Sequence, residues 1–459
     1  MTVPRRTIIE PFKVKIVEPL PRLERAERER CLAEAGNNLF LIPARDVIFD
    51  FLTDSGTTAM SAAQWAAMMI ADESYAGSRS FERLEAVIRK VTGLPHVIPT
   101  HQGRAAERLL FSLLVKPGTL VPSNNHFDTT RANIEQLGGE ALDLVCAEAK
   151  DTRSQAPFKG NLDVERLDEV CRRERARIPL GMITITNNTG GGQPVSLANL
   201  RAVAEVYRRH GIPFVIDACR FAENSWFIRE REAEHAGRPV REIAREIFDL
   251  ADGCLVSAKK DGMVNIGGFI ALREAAWVPH LRALLILTEG FPTYGGMAAR
   301  DMEALAVGLE EVLDEEYLAY RAAVARYVAD GLERAGLPTV QPPGGHAVYV
   351  DAGALLPHIP PEQFPGQALA CALYLTEGIR SCEVGSVMFG KTDPQGRFQP
   401  AAKELVRLAF PRRVYTQAHM DRVLEAAAEV AADRERLRGL RIEHEPPFLR
   451  HFTARFVPA

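Results

Sequence analysis

The stretch GMITITNNTGGGQPVSLANLRAVAEVYRRHGIPFVIDACR, residues 181–220, decides the fold class. It opens on a β-rich apolar run, Gly181–Asn187, with the pattern of a buried strand. Pro194 and Ser196 stand where a helix starts. Leucine, valine and alanine then recur at helical spacing until Gly211 stops the pattern. Pro213–Cys219 is a second short apolar run. Working outward, a charged helix near Pro239–Leu250 leads into a further strand, Gly253–Ala258. Strand, helix and strand in alternation predict an α/β domain with a mainly parallel sheet.

The remainder of the chain bounds this reading. With 459 residues, two to three domains are expected. After about residue 305 the pattern changes to long helices with fewer strands, HAVYVDA and ELVRLAF among them. This predicts a smaller α+β domain. The expected division is 1–54 as an N-terminal arm and part of the small domain, 55–310 as the large domain, and 311–459 as the small C-terminal domain. Lys plus Arg is 56 and Asp plus Glu is 60, a net charge of −4, which gives no electrostatic case for nucleic acid or an anionic membrane. The longest apolar stretch, AAQWAAMMIA, is far short of the ~20 residues of a spanning helix. The opening residues break into charges and prolines too early for a signal peptide. Seven scattered cysteines without a C-x-x-C read as reduced thiols, so a cytoplasmic location is expected.

In open α/β sheets ligands sit beyond the carboxyl ends of the strands. Three candidate strand ends carry chemistry: Asn187-Asn188, Asp217-x-x-Arg220 and Ser257-x-Lys259-Lys260. An acid at one end and a lysine at the end of a following strand suit pyridoxal phosphate. The acid keeps the ring nitrogen protonated and the lysine amine forms the imine. The paired lysines fit this use, because a neighbouring ammonium and burial both lower an amine's pKa. The plainer reading is a solvated surface pair. A phosphate site is expected earlier, in PTHQGRAAERLL (Pro99–Leu110). There Gly103 permits close approach, and the helix start and Arg104 can hold an anion.

The segments TDSGTTAMS, YAGS, PTHQGRAAE, GGQPVSLAN, DACRFAEN, SAKKDGMVNIGG, GFPTYGG, GGHAVYVDA and HFTARF together resemble the β-eliminating lyases, in order and over nearly the whole chain. The resemblance implies a fold-type-I pyridoxal-phosphate enzyme, like aspartate aminotransferase, with a mainly parallel seven-stranded sheet. It also implies a cytoplasmic homotetramer with active sites at subunit contacts, and a monovalent cation, K+. By the same resemblance Lys260 forms the Schiff base and removes the substrate α-proton, and Lys259 tunes the site. Asp217 holds the pyridine nitrogen, Arg220 lies beside the ring hydroxyl, Asn188 is another ring contact and Phe127 stacks on the ring. Gln102, Gly103, Arg104 and Ser257 form the phosphate cup. Arg407 takes the substrate carboxylate, while Thr53, Ser55 and Phe40 line the substrate pocket. Gly56, Glu73 and Asn265 hold the cation, and Tyr75 is the candidate general acid for the leaving group. Without the resemblance, Phe127 and Tyr75 read as packing aromatics and Arg407 as a salt-bridge partner.

The family eliminates either indole or phenol, leaving pyruvate and ammonia, through aldimine, quinonoid and aminoacrylate intermediates. Three positions bear on which. Asp128 matches an aspartate of the indole-releasing branch, where the phenol-releasing branch has threonine; a carboxylate can hold an indole N–H. Val384 stands where the phenol branch has an arginine. His451 matches a histidine of the indole branch, where the other branch has phenylalanine. All three favour indole, with phenol release as the alternative. Taken singly, Asp128 could be a helix cap, Val384 core and His451 a structural histidine. The chain departs from the family pattern at Arg79, Ser80, Gly190 and Gly262. An aminotransferase on the same fold, and a cofactor-binding regulator, are the other classes weighed.

Overall fold

The computed structural model describes residues 8–393, 395–446 and 448–459. Residues 1–7 of the expected N-terminal arm lie outside the described residues. Two compact units emerge. One comprises 55–151 and 156–318, the other 1–54, 152–155 and 319–459.

The larger unit is built on a five-stranded sheet. Its strands run in the order His96–Thr100, Gly268–Leu272, Gly253–Ser257, Phe214–Asp217, Gly181–Thr184. Gly268–Leu272 is antiparallel to both neighbours, and the other pairings are parallel. Alternate side chains enter two cores. Ile183, Ile216 and Val256 face one, and Met182, Val215 and Leu255 face the other. A sheet buried on both faces explains why these runs are apolar throughout. The expected seven strands are present as five plus two. Leu120–Ser123 and Glu140–Asp143 form a separate parallel pair. The Asn124 amide stands in for a continuous ladder: its Nδ2 donates to the Thr184 carbonyl (3.0 Å), and its Oδ1 accepts from the Thr184 N–H (2.9 Å).

The expected crossover helix runs over Leu197–Arg209. Ser196 caps it, its hydroxyl accepting from Asn199 N–H at 3.0 Å. Leu197, Leu200, Val203 and Val206 bury one stripe, so truncating Leu200 to alanine would cost about 2–5 kcal/mol. Gly211 follows at φ +61° and lets the chain turn into the next strand.

The smaller unit has a three-stranded antiparallel sheet in the order Cys382–Val384, Leu405–Ala409, Ala347–Asp351. Helices Pro365–Glu377 and Gln417–Ala432 bury apolar side chains in its core. The early segment joins this unit through parallel pairing of Phe49–Asp50 with Ile379–Arg380. Among the described residues no helix is long and apolar enough to cross a membrane.

Candidate active site

Asp217 ends its strand and is buried. The Cys219 thiol donates to its Oδ1 at 2.8 Å, and the Cys219 sulfur accepts from the Ser257 N–H at 3.1 Å. The Asp261 N–H donates to the Cys219 carbonyl, and the Asp261 carboxylate caps Ala222 N–H at 2.8 Å, in the first turn of helix Phe221–Arg231. These bonds stitch the turn after Asp217 to the turn that carries Lys259 and Lys260. Arg220 is buried at the start of the same helix, its N–H donating to the Ile185 carbonyl. Asn188 is buried in the loop beyond Gly181–Thr184.

The two lysines differ in surroundings. The Lys259 carbonyl accepts from Gly56 N–H at 2.7 Å, and its side chain lies against Gly56, where a Cβ would sit 2.7 Å from Lys259 Cε. Burial, then Lys260, then Arg104 hold the Lys259 amine below its ordinary pKa.

The phosphate segment forms helix Gly103–Leu114, with Gln102 at its N-cap and Arg104 exposed in the first turn. A Cβ on Gly103 would lie 2.4 Å from Ser257 Cβ, and one on Gly268 would lie 2.6 Å from the Gln102 carbonyl carbon. Only glycine allows this helix start to abut the strand end. The arrangement fits pyridoxal phosphate. Helix-start amides and Arg104 suit its phosphate, buried Asp217 its ring nitrogen and Lys260 its aldehyde carbon.

Phe127 is the half-buried N-cap residue of helix Asp128–Gln136, so Asp128 occupies the first helical position rather than the cap. Asp128 is buried, and its Oδ1 accepts from Thr129 N–H at 2.7 Å. Tyr75 is exposed and packs against Tyr294 and Phe291, with ring centroids 5.4 and 5.6 Å away. Gly56 and Asn265 come together, with Asn265 Nδ2 donating to the carbonyls of Gly56 (3.0 Å) and Thr58 (3.2 Å). Glu73 is bonded to the start of a later helix. Its carboxylate accepts from the N–H groups of Ala299 and Arg300, at the start of helix Ala299–Glu311, and pairs with the Arg300 guanidinium.

In the smaller unit Arg407 is buried, and its Nη2 donates to the Leu52 carbonyl at 2.9 Å. Val384 is buried on the strand that pairs with it. His451 is buried in the turn Arg450–Phe452. Its ring lies 4.0 Å from that of Phe452 and 5.8 Å from that of Phe40. Thr53 and Ser55 are half-buried on either side of the division between the units.

Two departures have packing reasons. A Cβ on Gly262 would meet the Ala258 carbonyl at 2.4 Å and Leu305 Cδ1 at 2.5 Å, and one on Gly190 would meet Asn187 Cγ at 2.9 Å. Ser80 is buried, its hydroxyl accepting from Asp72 N–H. Arg79 is exposed, its guanidinium 4.0 Å from the Asp72 carboxylate that also accepts from its backbone N–H. The sequence reading missed Cys219 and Glu107. Glu107 was visible as a carboxylate at i+4 from Gly103, on a face it shares with Ala106 and Leu110; all four are buried.

The architecture is that of fold-type-I pyridoxal-phosphate enzymes. Serine palmitoyltransferase of Sphingomonas wittichii superposes with a TM-score of 0.60 at 16% identity, covering 90% of this chain and 97% of that one. Threonine aldolase of Leishmania major does so with a TM-score of 0.57 at 15% identity, covering 83% and 99%. The family description "Beta-eliminating lyase" matches residues 50–426. Tryptophanase of Hyphomonas neptunium is 57% identical over 451 residues, 98% of this chain and 99% of that protein. Tryptophanase of Rhodobacter capsulatus is 56% identical with the same coverage. Tyrosine phenol-lyase of Symbiobacterium thermophilum is 49% identical over 455 residues, 99% of each chain. The chain belongs to the β-eliminating lyase family of carbon–carbon lyases.

Proposed function

We propose that this enzyme uses pyridoxal phosphate to cleave L-tryptophan to indole, pyruvate and ammonia. The choice of substrate rests on two residues taken separately: a buried carboxylate at Asp128 in the larger unit and a buried valine at Val384 in the smaller one. A carboxylate accepts the indole N–H, and valine offers the hydroxyl of a phenol no donor. Sites that pair a polar group of the substrate strongly reject analogues lacking it.

Lys260 would hold the cofactor covalently, Asp217 its ring nitrogen, and Gly103, Arg104 and Ser257 its phosphate, with Gln102 beside them. Phe127, Asn188 and Arg220 would contact the ring. When bound, the cofactor supplies an electron sink for the carbanion at the substrate α-carbon.

The chain's own groups do the rest. Lys260 Nζ takes the α-proton. Lys259 stands beside that amine and tunes the charge around it. Arg407 binds the α-carboxylate with its planar fork, and Thr53, Ser55, Phe40 and His451 bound the substrate. Tyr75 holds a proton at its phenolic oxygen for the departing ring carbon. Its exposure fits a site completed by a second copy of the chain, in line with the homotetramer proposed here. Gly56, Glu73 and Asn265 would hold a monovalent cation, K+, to which no step is assigned. All seven cysteines are free thiols, which fits the proposed cytoplasmic location.

The test is a product assay. Enzyme loaded with pyridoxal phosphate receives L-tryptophan or L-tyrosine, and indole, phenol and pyruvate are quantified. Indole matched by pyruvate, with little phenol, supports the reading. Phenol in excess overturns the roles of Asp128, Val384 and His451, and pyruvate-free transamination would reject the lyase altogether.

A further inference from the structure

We infer that Glu107 is a positioning residue for ring recognition: its carboxyl anchors the turn Asp128–Thr130 and so fixes the orientation in which Asp128 meets the departing ring. The inference rests on the reading of Asp128 given above.

Glu107 lies one turn into the helix that opens at Gly103, on its buried face. Its Oε1 is bonded to the Thr130 hydroxyl at 2.5 Å. Its Oε2 accepts longer bonds from the Thr129 hydroxyl and Asn133 Nδ2, both at 3.4 Å. Three residues of the first two turns of helix Asp128–Gln136 thus converge on one carboxyl. An apolar side chain would fill this helix face at lower cost, because burying a carboxyl is expensive unless its bonds are used. What the carboxyl adds is a fixed register between the phosphate-binding helix and the turn that bears Phe127 and Asp128.

The charged groups facing Glu107 are Asp217 from the central sheet, Lys260 from the turn after the neighbouring strand, and Asp128 from the anchored helix. Burial first, then Asp217, push its pKa up to about 7; Asp128 adds to this, while Thr130 and Lys260 oppose it. Near neutrality the carboxyl changes between an acid donating to Thr130 Oγ1 and a carboxylate accepting from it. The hydroxyl serves both states, so the anchor survives ionisation, but ionisation places a second negative charge beside Asp128. Discrimination between substrates that need Asp128 and those that do not should therefore change with pH.

The experiment uses holoenzyme and two variants, Glu107→Ala and Glu107→Gln. The kcat/KM values for L-tryptophan and S-ethyl-L-cysteine are followed from mildly acidic to mildly alkaline pH. S-ethyl-L-cysteine has no ring N–H to be held. Loss of the anchor in Glu107→Ala should lower the tryptophan value at least about tenfold more than the S-ethyl-cysteine value, the scale of a misplaced charge-assisted hydrogen bond. Glu107→Gln, which keeps the shape, should restore the substrate ratio. It should also remove the pH dependence that the wild-type ratio shows around pH 7. Parallel losses on both substrates in Glu107→Ala, or an unchanged pH dependence of the ratio in Glu107→Gln, would overturn the inference. If the alanine variant does not fold, the pH dependence in the glutamine variant decides alone. A wild-type enzyme that cleaves S-ethyl-cysteine but not tryptophan would instead sink the underlying reading of Asp128.

Discussion

The two units bury their charged groups in different ways. In the larger unit the charged groups assigned to the cofactor gather at the carboxyl ends of neighbouring strands. Asp217 is held by the Cys219 thiol, and Lys259 and Lys260 follow the next strand. In the smaller unit buried charged groups are dispersed through the core. Arg412 pairs with Asp54 at 3.0 Å with both side chains almost fully buried, Arg407 reaches a backbone carbonyl, and Glu383 sits beside Glu404. The first arrangement gathers reactive groups where a parallel sheet leaves room for a ligand. The second holds chain segments that are remote in sequence. Asp54 meets Arg412 and Leu52 meets Arg407, so the small unit depends on its early segment for its internal charge balance.

The sharpest way to break this contrast is to remove Lys260. Lys260→Ala should abolish turnover, and full activity in that variant would reject its assignment. Next in size is Arg407→Ala. Loss of a buried charge partner should weaken amino-acid binding by about 2–5 kcal/mol, and a binding titration that gives wild-type affinity would remove Arg407 from the substrate site. Asp128→Thr should reduce tryptophan cleavage by about 1.5–3 kcal/mol in kcat/KM, the worth of a hydrogen bond to a charged group, and S-alkyl cysteine cleavage by less. Equal losses would make Asp128 structural.

The smallest effect concerns stability and lies in the smaller unit. Burial, then Glu404, push the Glu383 carboxyl up to about 8, against the accepting bonds it makes from the amides of Val387 and Met388. A raised folded-state pKa means that the native state holds its proton more tightly than the unfolded chain. Its stabilising contribution is therefore complete below the ordinary carboxylate range and is lost as pH rises through that range toward the folded value. Between those values the slope is at most about 1.4 kcal/mol per pH unit. Denaturant unfolding of Glu383→Gln across this range should show a shallower decline than wild type; an identical slope would show that Glu383 is ionised in the folded unit.

The same contrast explains what was legible in the sequence. Strand–helix–strand periodicity marks where each strand of the large unit ends, so Asn188, Asp217, Ser257 and Lys260 could be placed by pattern alone. Glycine and a helix start pointed to the phosphate segment in the same way, and the structure gives the reason in the space around Gly103. The split of the sheet into five strands and two was not legible. It depends on one side-chain amide, Asn124, replacing ladder bonds. The bonding of Glu73 to the helix at Ala299 was hidden too, since no local period links residues so far apart. Phe40, Val384, Arg407 and His451 come from four distant segments, and only the family resemblance singled them out. Glu107 escaped because a carboxylate on a helix is ordinarily a surface residue; its apolar neighbours at helical spacing were the available signal.

The most direct test of the site is to locate the cofactor. Holoenzyme treated with borohydride should lose its yellow colour and fix the pyridoxyl group irreversibly. Digestion and mass analysis should then find the added mass on Lys260 in the peptide containing Ser257–Gly268. Modification of Lys259 instead, or of a lysine outside this turn, would contradict the assignment on which every proposed role rests.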